Sequence, residues 1–218
     1  MHHTLLQFPE IKLTRRDGHK LRGYFANTYG SESDLFHNHD ANGANIYRYP
    51  QVQYKIINNV PTVLGLGEGG KLIVDKFLAI KELNIDGQRI PLQQKNLKSE
   101  DYEIKIDDGM YRYQFVNPWL PLNQKNYKAY GKLEPKKQKE KLHKILAGNM
   151  LSFFNSIPYY AEERIRVNID MKAPFVTKFK NQPMMAFIGN FVCNVQLPNY
   201  IGLGKSVARG FGTIESMD

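Results

Sequence analysis

Apolar and polar residues alternate over residues 4–14, with Leu6, Phe8, Ile11 and Leu13 as the recurring apolar positions, and this short period predicts a strand. From 17 to 29 the period changes. Leu21, Tyr24, Phe25 and Thr28 fall at helical spacing, with Asp17 as the cap. A polar stretch at 30–45 interrupts the pattern. Strands are predicted at 47–57 and 62–66 around an Asn58-Asn59 turn, followed by a helix at 70–83 with Leu72, Ile73, Phe77 and Ile80 on one face. Further strands are predicted at 85–92, turning at Asp86-Gly87, and at 102–106. The order strand–helix–strand–strand–helix–strand is the split βαβ plan of a ferredoxin-like domain.

Residues 110–218 begin the plan again. A strand is predicted at 110–120, a Pro-bounded linker over 117–133, and a long helix at 134–156. Residues 164–180 and 184–197 are strand-rich, and a glycine loop precedes a last strand at 211–215. Little room is left for a second helix between 197 and 202. The expectation is an α+β chain of two tandem ferredoxin-like (RRM-like) domains, 1–109 and 110–218. The second has a shortened or missing second helix and a glycine-rich loop before its last strand. The repetition is one of pattern, not of sequence identity.

Composition sharpens this division. The 218 residues carry a net charge of +9, with a hydrophobic content of 42% and 25 Phe and Tyr, enough to bury a core. Residues 1–109 hold 14 Lys and Arg against 14 Asp and Glu, whereas 110–218 hold 16 against 7 and so all of the surplus. A neutral half joined to a basic half suits a polyanion docking mainly on the second, although solubilising charge alone reads the same way. The lone Cys193, in an apolar run, permits no intrachain disulfide and suits a core position in a reducing cytoplasm. No stretch approaches 18 apolar residues, and Pro9 and Glu10 break the start before a signal-peptide core forms, so no membrane is expected. His2 and His3 are assigned no role.

Three glycine patterns invite a chemical reading. Gly65, Gly67 and Gly70 satisfy the G-x-G-x-x-G spacing of a dinucleotide turn, with Asp86 about 20 residues on. Against it, Glu68 places a negative charge in the phosphate-binding turn, and a short hairpin follows where a buried parallel strand is needed. A plain strand-to-helix turn is the competing reading. Gly204-Lys205-Ser206 mimics the end of a phosphate loop but fails it, because Asn199 stands where the first glycine belongs. The tail is the third pattern. Gly202, Gly204, Gly210 and Gly212 bracket Lys205, Ser206 and Arg209 just before the last strand. Such a loop either turns tightly with no ligand or brings backbone amides and two cations close to a phosphate.

The loop Leu35-Phe36-His37-Asn38-His39-Asp40 holds two histidines at i,i+2. In extended backbone both project to one side with Cα atoms about 6–7 Å apart, able to straddle one phosphodiester. A surface loop without chemistry is the bland alternative. A metal site from His37, His39, Asp34 and Asp40 is another, but no Cys or further His lies nearby to complete it, and no metal or cofactor is called for.

The tail pattern, G-hydrophobic-G, five residues, then G-F-G before a final strand, resembles the glycine-rich loop of the repeat-associated mysterious protein (RAMP) superfamily. More narrowly it resembles the CRISPR-associated endoribonucleases that cut precursor CRISPR RNA within each repeat. The run Ile46-Tyr47-Arg48-Tyr49-Pro50-Gln51-Val52-Gln53-Tyr54-Lys55, followed by Leu64-Gly65-Leu66, is similar to that family's second and third strands. The likeness is specific over 30–83 and 183–218 and weak over 85–160.

This resemblance implies a metal-independent endoribonuclease that binds CRISPR repeat RNA. His37 and His39 occupy the stretch where the family carries its catalytic histidine or histidine pair, and Tyr47 or Tyr29 would orient the phosphate or the 2′-hydroxyl. Imidazole, with an ordinary pKa of about 6.5, suits both the base for a 2′-hydroxyl and the acid for a departing 5′-oxygen. The products would be 5′-hydroxyl and 2′,3′-cyclic phosphate ends. Arg48 and Lys55 would stabilise charge on the phosphorane, and the glycine loop would hold RNA. The basic run 132–144, including Lys136 and Lys137, is a solvated helix face or a phosphate-backbone contact, and Trp119 and Phe211 are candidates to stack bases. Two alternatives stay open: a catalytically silent repeat-RNA-binding subunit of a CRISPR effector complex and, more remotely, a dinucleotide-dependent enzyme using Gly65–Gly70. Effector-complex proteins and a second copy of the chain remain open as partners.

Overall fold

Two units with the same strand order make up the chain in a computed structural model, which describes residues 1–38, 46–179 and 182–218. The first unit is Met1–Glu103 together with Ala208–Gly210; the second is Ile104–Val207 and Phe211–Asp218. In the first, β1 (His2–Gln7), α1 (Gly18–Tyr29), β2 (Val52–Ile57), β3 (Val60–Leu66) and α2 (Glu68–Lys76) follow in order. A hairpin of β4 (Glu82–Ile85) and β5 (Gln88–Pro91) then leads to β6 (Asn96–Asp101). The sheet runs β2-β3-β1-β6, antiparallel at every step.

The second unit contains β7 (Lys105–Phe115), α3 (Gln124–Tyr130), α4 (Pro135–Phe154), β8 (Val167–Met171), β9 (Phe175–Phe179), β10 (Gln182–Ala186), β11 (Gly189–Gln196) and β12 (Ile214–Ser216). Its sheet runs β12-β7-β11-β8, the same order as the first when the main strands are counted along the chain, and β9 with β10 forms a separate ribbon. Both units are therefore ferredoxin-like. The second helix of the second unit is replaced, among the described residues, by irregular chain and one 3₁₀ turn, Val207–Arg209.

Local chemistry explains most boundaries. Asn58 and Asn59 both take positive φ, 50° and 66°, the geometry that joins two strands by a two-residue turn. Leu21, Phe25 and Tyr29, one helical turn apart, are the buried stripe of α1, packed with Phe8, Tyr54 and Val63 in one core. Leu142, Leu146, Met150 and Phe153 do the same for α4, which starts on Pro135 where a missing N–H costs nothing.

Several expectations shift. The fourth strand of the first sheet is 96–101 rather than 102–106, because this edge strand is largely exposed and carries little apolar signal. Strand β2 begins at Val52, five residues after the expected start, and α2 ends at Lys76 rather than Leu83. The seven-residue α3 lies inside the expected linker and is held by the Asn123 side chain, which accepts from the Asn126 amide at 2.8 Å. The boundary expected between 109 and 110 falls inside β7. Cys193 is buried, as its apolar run suggested, and burial pushes its thiol up to about 12.

The dinucleotide reading of Gly65–Gly70 is overturned. Strand β3 is antiparallel to both neighbours, whereas a dinucleotide turn needs a parallel βαβ unit. A Cβ on Gly65 would lie 2.6 Å from both the Gly69 carbonyl oxygen and Ile73 Cδ1, so this glycine lets α2 start hard against β3.

Strand β2 alternates so that Val52, Tyr54 and Ile56 enter the core while Gln53 and Lys55 face the other way, yet Lys55 has 0% exposure. Desolvation holds its amine down at about 7. Between about pH 7 and the ordinary lysine value near 10.4 the unfolded chain keeps a proton that the folded chain has released, so this group makes unfolding free energy rise with pH across that window. Lys55→Met is therefore expected to remove this rise, so that wild type gains urea midpoint relative to the variant from pH 7 to pH 10. Paired denaturation curves check this, and a difference that stays constant with pH would show an amine that holds its proton alike in both states.

Candidate active site

The segment after α1 is built around one buried ring. Phe36 ends a 3₁₀ turn, Asp34–Phe36, whose first amides are capped by Ser33, with Oγ accepting from Leu35 N at 3.2 Å. Its ring centroid lies 5.6 Å from that of Tyr29 and 6.2 Å from that of Phe25, which in turn lies 5.4 Å from Tyr54. The Tyr54 hydroxyl donates to the Phe36 carbonyl at 2.9 Å. Sequence order then delivers His37 at the edge of this anchored cluster.

His37 is half-buried and tied through its backbone. Its N–H donates to the Asp34 carbonyl at 3.2 Å, and its carbonyl accepts from Arg22 Nη2 at 2.5 Å. The imidazole packs on Gly30 at the end of α1: a Cβ there would lie 2.7 Å from Cδ2 and 3.1 Å from Nε2. Asn38 follows with φ 55°, and its carbonyl accepts from the Ile46 amide at 2.9 Å, a stem that joins the chain at 38 to the chain at 46. Arg48 ties both strands of that stem, with Nη2 on Asp34 Oδ1 at 2.8 Å and Nε on Asn38 Oδ1 at 3.2 Å. His39 and Asp40 lie outside the described residues.

The remaining expected groups divide. Arg48 acts on the loop stem, through Asp34 and Asn38. Tyr47 is 97% exposed and open to a ligand. Tyr29 is a buried aromatic anchor instead, and burial raises its phenol. Lys55, sealed in β2, has no open route to a phosphorane. Arg22 escaped sequence reasoning, since a single cation in a helical pattern carries no signal until the carbonyl it meets is known.

The glycine segment is shaped by packing. Gly204 has φ 96°, and a Cβ there would lie 2.7 Å from Trp119 Nε1. Three of the segment's amides already meet protein carbonyls: Leu203 N to Gly212 O at 2.9 Å, Lys205 N to Leu120 O at 3.2 Å, and Gly212 N to Pro118 O at 2.8 Å. Those amides do not form the phosphate cradle that the glycines suggested. Gly202 bridges to Thr213, and Gly210 also takes positive φ, 88°. Lys205 is exposed, Ser206 is half-exposed with φ 62°, and Arg209 belongs to the first unit. Lys136 and Lys137 are exposed on the first turn of α4. Trp119, expected to stack a base, is fully buried and stacked on Phe115 at 5.2 Å, while Phe211 packs against Leu120, Met184 and Ala186. Among the described residues no helix is long and apolar enough to cross a membrane.

The chain is thus an α+β protein of two tandem ferredoxin-like units with a glycine-rich segment before the final strand, the fold of a Cas6b of known crystal structure. The models of the Cas6b N-terminal and C-terminal domains match residues 1–103 and 105–217, and the chain belongs to the Cas6b family. It is 38% identical to a Cas6b of known crystal structure, over 99% of each chain and with a TM-score of 0.93. A second crystal structure, described as a CRISPR RNA processing endoribonuclease Cas6b, is 34% identical over the whole of both chains with a TM-score of 0.79. An uncharacterized protein of Methanocaldococcus jannaschii is 36% identical over 138 residues, 63% of this chain and 94% of that one.

A Cβ at Gly30 would meet both the Ala26 carbonyl oxygen and the His37 ring, so Gly30→Ala is expected to shift the end of α1, to displace the ring and to cost about 1–3 kcal/mol of stability. Shifted His37 ring resonances in NMR spectra, with a lowered urea midpoint, check both parts.

Proposed function

We propose that this chain is an endoribonuclease that binds CRISPR repeat RNA and cuts precursor CRISPR RNA within the repeat. The observation that carries the reading is its end-to-end likeness to a Cas6b described as a CRISPR RNA processing endoribonuclease. The anchored presentation of His37 supports the placement of the site.

In this reading the 2′-hydroxyl of the nucleotide before the cut attacks the adjacent phosphorus. One of His37 and His39 takes the hydroxyl proton as the new P–O2′ bond forms, and the other gives a proton to O5′ as the P–O5′ bond breaks. The nucleophile is already part of the substrate, so orientation supplies much of the acceleration and two imidazoles suffice without a metal. A 2′,3′-cyclic phosphate and a 5′-hydroxyl result. Tyr47 orients the 2′-hydroxyl or the phosphate, and Arg48 keeps the histidine loop in place. Residues 1–109 do the cutting. Residues 110–218 supply most of the backbone grip, through Lys136, Lys137, Lys205 and Ser206, with Arg209 at the cut. Such grip is salt-dependent and carries little sequence information.

Incubation with repeat RNA in EDTA, with and without a 2′-deoxy nucleotide at the cut, tests the chemistry. Cleavage in EDTA that the 2′-deoxy substitution abolishes is the expected result; binding without cleavage would make the chain the catalytically silent subunit instead. Replacing either histidine by Ala is expected to slow single-turnover cleavage about 10²–10⁴-fold with affinity little changed. Wild-type rates in both variants would move the active site elsewhere.

A further inference from the structure

We infer that Arg22 and Arg209 together form a seat for one phosphate of the bound RNA, next to His37. The inference rests on the reading that this chain binds CRISPR repeat RNA, and it adds a residue of α1 to the site.

Gly18 and Arg22 stand one helical turn apart, at i and i+4, and so share a face of α1. The backbone of Arg209 lies on that face: a Cβ on Gly18 would come 2.9 Å from the Arg209 carbonyl oxygen, with the Tyr54 carbonyl oxygen 3.5 Å away. The absence of a side chain at Gly18 is thus what lets residues 208–210 join the first unit at the start of α1. From the same face Arg22 reaches the His37 carbonyl at 2.5 Å. Three chain segments far apart in sequence, around 18–22, 37 and 209, converge on one spot, and two of them bring a guanidinium.

Two cations so placed repel. Burial first, and the Arg22 charge second, weaken the hold of Arg209 on its proton. A bound anion relieves this. The phosphodiester fits well, since its two non-bridging oxygens carry one charge between them and accept from planar guanidinium forks. The bond from Arg22 to His37 engages one of the five N–H groups of a guanidinium, so the residue that grips the phosphate also fixes the backbone of the histidine beside it. The seat is a binding site for the RNA backbone, and it sets the distance between a phosphate and His37.

The test uses full-length protein and a repeat RNA made uncleavable by 2′-deoxy substitution at the cut, so that binding is read apart from catalysis. Arg22→Ala and Arg209→Ala are each expected to weaken binding about tenfold. Because both guanidinia serve one phosphate, the double variant should lose little more than either single. Its slope of log affinity against log salt should fall by about 0.7, the value for one phosphate on a single strand. A scan of single uncharged methylphosphonates along the RNA should find one linkage that weakens wild type about tenfold and leaves the double variant indifferent. The wild-type arm of that scan can be read even if a variant folds poorly. Additive losses with a slope change of about 1.4, or a wild type that shows no such sensitive linkage, would overturn the seat while leaving RNA binding intact. If wild type does not bind repeat RNA at all, the proposed function fails first and the seat with it.

Discussion

The Phe36 ring, wedged against Phe25 and Tyr29 with its carbonyl held by the Tyr54 hydroxyl, is the contact from which the rest of the candidate site follows. Burying a phenylalanine contributes about 1.5–3 kcal/mol, and each well-placed ring pair about 0.5–1.5 more. That is enough to hold a short polar turn that has no sheet or helix ladder of its own. The next residue, His37, then has its backbone fixed on one side by Asp34 and on the other by Arg22. Catalysis by proton transfer requires such placement, since a group free to wander loses the benefit of proximity.

The same economy explains the polar contacts around the stem. Arg48 spends its guanidinium on Asp34 and Asn38, and Ser33 and Asn38 cap or close local turns. Each bond is worth about 1 kcal/mol or less at this exposure, but together they tie residues 34–38 to 46–48. The glycine segment of the second unit solves a different problem. It lets the chain pass over Trp119, whose indole donates to Asn149 at 3.1 Å and stacks on Phe115. Its glycines answer to packing.

Charge follows the same division. The surplus of positive residues lies wholly in 110–218, and Lys136 and Lys137 are exposed there as a solvated helix face would have them. In the first half 14 acids balance the 14 cations, and three of those cations have particular settings: Arg48 on the stem, Arg22 on His37, and Lys55 buried where burial drives its amine towards neutrality.

Periodicity alone determined the two ferredoxin-like plans, the missing helix of the second, and the loop that carries His37, because strand and helix periods and turn residues are local properties. The tail glycines and the run 46–55 also marked the family. Only the tertiary structure decided which polar groups are available. Lys55 and Trp119 look accessible in the sequence and are sealed, since burial depends on what packs across a sheet face or a ring. The Gly65–Gly70 turn matched a phosphate-binding spacing, yet strand direction, which spacing does not encode, ruled it out. Arg22 reads as one more helix cation until residues 37 and 209 arrive beside it. Short-range pattern sets the elements, and only long-range packing brings a few of their side chains together.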